Sequence, residues 1–113
     1  MSTSDQLPAI HALMAIVSTC GDLPTAELAI RVLDFDICDG NMTVLEWGVE
    51  VVVHDSLTHF EQWRQGLGFN PEDIDHRQNE GLAWLTVTAA YAGVPVKLTG
   101  FYDLPDHDRR AAA

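Results

Sequence analysis

The stretch DFDICDGN, residues 34 to 41, sets three acids within six positions beside a glycine, a composition that could close around a calcium ion. A calcium loop of the EF-hand kind needs oxygen ligands at every second position, glycine at the sixth and glutamate at the twelfth, between two helices. Here Cys38 occupies the fifth position and Leu45 the twelfth, and both flanks have strand composition, so the stretch reads as a strand end and a turn. A second group, Asp73, Asp75 and His76, could bind a divalent metal with His76 as a proton carrier, but no further ligand stands at a firm spacing. It reads first as a surface loop, with a small metal-dependent enzyme or sensor as a further alternative. In LTHFEQWRQGLG, His59 and Glu61 could form an acid/base pair, yet residues two apart on a helix do not face each other. The sequence has no glycine-rich phosphate loop, GxSxG, HExxH or thiolate beside a base. No catalytic residue, cofactor or definite metal is implied, and an enzyme is not the favoured class.

Hydrophobic spacing predicts the elements that carry these groups. Leu7, Ile10, Leu13, Met14 and Val17 recur at helical intervals and predict an amphipathic helix from about Gln6 to Thr19, with Asp5 as cap, Pro8 in the first turn and Gly21 at the end. Residues 28 to 37 have strand composition with a change of phase, which suggests a bulge near Val32. From Thr43 to His54 the alternation is clean, with Leu45, Trp47, Val49, Val51 and Val53 on the core face and Glu46 and Glu50 on the other. A three-residue loop at Asp39, Gly40 and Asn41 would pair Cys38 with Met42, align Leu33, Phe35 and Ile37 with Leu45 and Trp47, and set Asp34 opposite Glu46. A register shifted by one would put Glu46 on the face of Leu33, against the expected burial.

A second helix follows, with Asp55 or Ser56 as cap, Leu57, Phe60, Trp63 and Leu67 as its apolar stripe, and Gly66 or Gly68 as its stop. Residues 69 to 81 are polar, and Asn70-Pro71-Glu72-Asp73 has the form of a short helical turn. Leu82 to Tyr91 and Val94 to Tyr102 form a hairpin about Ala92-Gly93, with Trp84 opposite Phe101 and Thr88 opposite Lys97. Pro95 suggests that its strand lies at an edge.

The order helix, two strands, helix, two strands predicts an α+β two-layer sandwich, a four-stranded, mostly antiparallel sheet with both helices on one face. One domain is expected over residues 5–104, with disordered ends at 1–4 and 105–113. The open sheet face would carry Trp84, Phe101, Val44, Val52, Leu28 and Ile30 beside Asp34, Asp36, Glu46 and Glu50. Such a patch predicts a protein interface, in the simplest case between two copies of the chain.

Seventeen acids against six bases give a formal charge of -11, which opposes phosphate and argues against direct nucleic-acid binding. Cys20 and Cys38 read as reduced thiols, and neither a signal peptide nor a membrane span is apparent, so cytoplasmic residence without membrane contact is expected. The Leu57, Phe60, Trp63, Arg64, Leu67 spacing, the GDLP linker and the paired strands resemble small accessory proteins of actinobacteria and their phages or integrating elements, over roughly half of the chain. That resemblance implies an accessory role and supplies no catalytic residue. The expected function is an acidic, non-enzymatic protein-binding module that self-associates as a homodimer or takes a basic partner. The alternative is an inhibitor that imitates nucleic acid through Asp34, Asp36, Glu46 and Glu50, with Asp103, Asp106 and Asp108 as a second cluster.

Overall fold

A computed structural model describes residues 2–37, 42–54 and 56–103. In chain order the elements are α1 (Leu7–Cys20), β1 (Glu27–Ile37), β2 (Met42–His54), α2 (Leu57–Leu67), β3 (Asp75–Asn79), β4 (Leu82–Tyr91) and β5 (Val94–Asp103), with 3-10 turns at Thr3–Gln6 and Pro71–Asp73. The strands form one open sheet in the order β1-β2-β5-β4-β3, antiparallel at each junction except β2–β5, which is parallel. Ala9, Ala12 and Ile16 of α1 and Phe60, Trp63 and Leu67 of α2 share one core with Val49, Val51, Val53, Val96 and Leu98. Both helices therefore lie on the same face of the sheet. The expected loop Asp39-Gly40-Asn41, the pairing of Cys38, the cap at Asp55 and the tail 105–113 fall outside the described residues. The first residues make a 3-10 turn, in which the Ser2 amide donates to Asp5 Oδ2 at 2.8 Å.

The architecture is α+β as expected, but the sheet has five strands and is mixed. The added strand is β3, whose residues DHRQN are all exposed. It turns into β4 through Glu80-Gly81, both at positive φ (50° and 85°), the conformation of a tight hairpin turn. An edge strand with no buried face needs no hydrophobic alternation, and charge along it discourages further pairing. The chain from α2 through β4 carries it back so that β5 enters between β2 and β4, which makes the β2–β5 junction parallel. Pro95 is accordingly buried in a central strand and not at an edge. It is tolerated because the β2 ladder begins one residue later, at Val49 opposite Val96, and because Ala90 opposite Pro95 is the non-hydrogen-bonded pair next to the tight turn. Within the β4–β5 hairpin, Trp84 faces Phe101 and Thr88 faces Lys97, as the spacing predicts.

The β1–β2 register is the one that burial had been expected to forbid. Pairing is continuous from Glu27 opposite Val52 to Ile37 opposite Met42, without a bulge, and Leu33 lies opposite Glu46. Leu28 and Ile30 pair with Val51 and Val49 and so face the helices, not the open side. Leu33 goes to the open side and is buried there nonetheless. Gly48 makes this possible: a methyl group at that position would stand 2.9 Å from Leu33 Cδ1 and 2.2 Å from the Pro95 carbonyl oxygen. The missing side chain is the space into which Leu33 folds.

The second correction concerns α1. Its buried residues are Ala9, Ala12, Ile16 and Cys20, whereas Leu7, Met14 and Val17, expected on the apolar face, are 50, 63 and 51 % exposed. Leu13 packs against the core as expected and Ile10 is half-buried, so the face toward the sheet is Ala9, Ala12, Ile16 and Cys20 flanked by Leu13, while Leu7, Met14 and Val17 face out. In α2, Phe60, Trp63 and Leu67 are buried as expected, Leu57 is exposed, the Ser56 hydroxyl accepts from the His59 amide at 3.1 Å, and Gly68 closes the helix in the left-handed conformation.

Gly48→Ala should lower unfolding free energy by about 3 kcal/mol, since the contact lies against backbone that cannot yield cheaply. Urea denaturation reads this directly, and a loss below about 0.5 kcal/mol, typical of an unremarkable surface site, would contradict the register.

Candidate functional site and interaction surfaces

The acidic residues do not converge. Asp34 pairs with Leu45 and Glu46 with Leu33, so strand alternation sends the two acids to opposite faces. Glu50 holds Arg31, with Arg31 Nε 2.7 Å from Oε1. The side chain of Asp36 and residues Asp106 and Asp108 lie outside the described residues, and Asp103 ends β5 opposite Leu82. The nucleic-acid-like face expected from Asp34, Asp36, Glu46 and Glu50 is thus split at the pair that anchored it.

Asp73, Asp75 and His76 are likewise separated, because Asp75 and His76 are adjacent residues of β3 and point to opposite sides of the sheet. Arg77 Nε donates to Asp75 Oδ2 at 2.9 Å, while His76 Nε2 is hydrogen-bonded to the Tyr102 hydroxyl at 2.8 Å, with the two rings nearly parallel. Among the described residues no group of three or more His, Cys, Asp or Glu side chains is placed to hold a metal ion.

Glu61 is committed to Arg64. Arg64 Nε donates to Glu61 Oε2 at 2.9 Å, Nη2 donates to Oε1, and Nη1 donates to the Phe69 carbonyl beyond the helix end. The hydrogen bond from Arg64 is the main cause that holds the Glu61 carboxyl below the usual carboxylate range, and the same contact raises the guanidinium. Glu61 is therefore a structural carboxylate and not a base. Burial pushes the Cys20 thiol up, away from the nucleophilic thiolate form. The residues of the Leu57, Phe60, Trp63, Arg64, Leu67 spacing act in the same structural way, Leu57 excepted. Phe60 and Leu67 fill the core, Arg64 ties the end of α2, and Trp63 Nε1 donates to the Pro24 carbonyl at 2.7 Å, fixing α2 to the GDLP linker.

What remains as a candidate is surface. On the open sheet face, His54, Phe101, Trp84 and Arg77 stand side by side across β2, β5, β4 and β3. The His54 and Phe101 rings stack at 5.9 Å. Val52 neighbours this row together with Thr99 and Thr86. Val44 shares the face but lies eight residues along β2 from Val52, about 27 Å away at the rise of a strand, so it does not join the same patch. Between them run the Arg31–Glu50 ion pair and the Lys97–Thr88 pair, beside a hollow of about 210 Å³ lined by Val32, Leu33, Asp34, Thr88 and Lys97. With Leu28 and Ile30 on the other side, the open face is more polar than the sequence suggested.

The more apolar surface is on α1. Exposed Leu7, Met14 and Val17, with half-buried Ile10 among them, form an outward stripe at intervals of three, four and three residues, the spacing of a helix-packing seam. The helix contains no Asp, Glu, Lys or Arg. Val17 borders a cleft of about 200 Å³ between the end of α1, the linker and α2, which Cys20, Leu23, Pro24, Leu28 and Trp63 also line. The polar side chains of α1 are His11, Ser18 and Thr19, all exposed, and His11 and Ser18 lie beside the stripe on one face. The signal was present in the sequence: Ala9, Ala12, Ile16 and Cys20 form a second stripe at helical spacing, which leaves α1 only a narrow polar strip at His11 and Ser18.

Fold and surfaces together define a two-layer α+β protein whose candidate working parts are apolar faces. No protein-family model, curated protein or solved structure matches the chain. Among the described residues, no helix is long and apolar enough to cross a membrane.

The Arg64–Glu61 contact carries a pH dependence. Because the Glu61 value is depressed on folding, the contact stabilises fully above the unfolded glutamate value of about 4.3 and is lost as pH falls through the lower folded value. Arg64→Met should reduce stability at neutral pH by about 1–3 kcal/mol, the range for hydrogen bonds to charged groups. It should also flatten the acid limb of the stability profile. An acid limb identical to the wild type would show that Glu61 is not held by Arg64.

Proposed function

We propose that the protein is a small, acidic protein-binding module whose working surface is the outward stripe of α1. The observation that carries this reading is the exposure of Leu7, Met14 and Val17, each half or more open to solvent, on a helix without a formal charge. Interface cores are depleted in charged residues relative to the remaining surface, and a contiguous apolar patch marks an interaction site. Covering a side chain of this size contributes up to about 1.5–3 kcal/mol, so a few anchors suffice for a specific contact. The formal charge of -11 elsewhere on the chain favours partners with a basic rim and keeps the free module dispersed.

The test is capture of partners by the immobilised chain from nuclease-treated lysate at low and high salt. Met14→Asp should remove the retained protein at least tenfold at either salt, while Phe101→Ser on the open sheet face should leave it. If Phe101→Ser removes binding and Met14→Asp does not, the sheet face is the working surface. If salt alone releases the partner from both variants and wild type, the acidic surface carries the binding and this reading fails.

A further inference from the structure

We infer that the partner of the α1 stripe is a second copy of this chain, bound antiparallel across a two-fold axis; the inference rests on the interaction-module reading above. The first ground is the geometry of the stripe. Intervals of three, four and three residues read the same from either end, so a two-fold axis crossing the stripe midway brings Leu7 of one copy against Val17 of the other, and Ile10 against Met14. A self-complementary patch is what a two-fold dimer requires, since each contact is made twice.

The second ground is the cleft beside Val17. In the antiparallel arrangement, Leu7 of the second copy arrives at the open cleft of about 200 Å³ that Val17, Leu23, Pro24, Leu28 and Trp63 line. A cavity of ~150 Å³ is enough for a benzene-sized group, so an isobutyl side chain fits. Leu7 is itself half exposed in the isolated chain and sits at the end of the stripe opposite Val17. Knob and socket are thus at opposite ends of one helix. In a parallel pairing, Leu7 would instead face its own counterpart, and both clefts would stay empty.

The third ground is charge. Two copies at a formal charge of -11 each repel, and none of the acids or bases responsible lies within α1. Contact through this helix keeps the charged strands apart, and the nearest acids, Asp5 and Asp22, flank its two ends, where they approach across the axis and add to the repulsion that salt screens. The open sheet face, by contrast, would bring Glu27, Glu46 and Glu50 of each copy into the contact together with Arg31, Arg77 and Lys97, all of which would have to be desolvated. The stripe is about 15 Å long at the rise of an α-helix, which places the interface at the low end of the size range and the dissociation constant in the region of ~10 µM. Self-repulsion also fixes the sign of the salt effect: screening must tighten the dimer, the reverse of binding carried by charge attraction.

Sedimentation equilibrium of the full chain, from about 5 to about 500 µM, brackets that constant. The mass should move from monomer to dimer, with a dissociation constant at least threefold lower at high salt than at low salt. Leu7→Asp should weaken association at least tenfold without changing the circular dichroism spectrum or the thermal midpoint. Orientation is tested by mixing Leu7→Lys with Val17→Glu, each impaired alone. The mixture should regain dimer, because the new lysine and glutamate meet only when the helices are antiparallel. A monomer at every concentration and salt overturns the inference, as does a dimer that Leu7→Asp leaves intact or that salt dissolves. If the wild type stays monomeric while Met14→Asp still abolishes capture of another protein, self-association fails and the interaction-module reading stands.

Discussion

The arrangement depends on how closely α1 can approach the sheet. The helix side of the sheet is paved with Val49, Val51, Val53, Val96 and Leu98, and α2 fills the adjoining volume with Phe60, Trp63 and Leu67. That leaves a shallow trough, and Ala9 and Ala12, both wholly buried, let α1 sit down in it, with Ile16 and Cys20 continuing the same stripe. Native interiors leave few voids and resist overpacking, so a stripe of Leu7, Met14 and Val17 would have to push the helix off the sheet. Volume decides which apolar face goes inward. The hydrophobic count alone would have chosen the other one.

That choice propagates to the other elements. With α1 seated by its small residues, the linker turns back on its last turn, where the Leu23 amide donates to the Cys20 carbonyl at 3.0 Å, and the cleft lies between Val17, Leu23 and Trp63. The cleft keeps its shape because Trp63 is hydrogen-bonded to the Pro24 carbonyl and because Arg64 locks the far end of α2 through Glu61 and Phe69. These polar contacts position a surface and take no part in chemistry. The same principle acts on the open face, where Gly48 gives up its side-chain volume to Leu33 and so sets the β1–β2 register. Asp34 and Glu46 then fall on opposite faces, and the acidic site that depended on their pairing dissolves.

Local signals were legible in the sequence where one residue type determines the backbone. The β4–β5 hairpin follows from Ala92-Gly93 together with two faces that agree on one register, and the ends of α2 follow from Ser56 and Gly68. The Trp84–Phe101 pair on the open face was found for the same reason. What the sequence left open depended on distant volume. The direction of the apolar face of α1 is set by side chains on β2, β5 and α2, and the burial of Leu33 is set by Gly48 and Pro95. β3 was hidden because an exposed edge strand has no periodicity to show, although Glu80-Gly81 marked its turn. The parallel junction of β2 with β5 follows from that missed strand. The candidate surface on α1 was present as a spacing, but it was assigned to the core.

Which face of α1 meets the sheet is read from a pair of thermal unfolding curves, Ala12→Asp against Met14→Asp, recorded at a concentration where the chain is monomeric. Ala12→Asp, which places a charge in the core shared with Val49, Val51 and Leu98, should remove cooperative unfolding or lower stability by several kcal/mol, on the order of 3–5. Met14→Asp should stay within about 0.5–1 kcal/mol of the wild type, the cost of an aspartate on an exposed helix face. The opposite ranking would put the large stripe in the core and contradict the account.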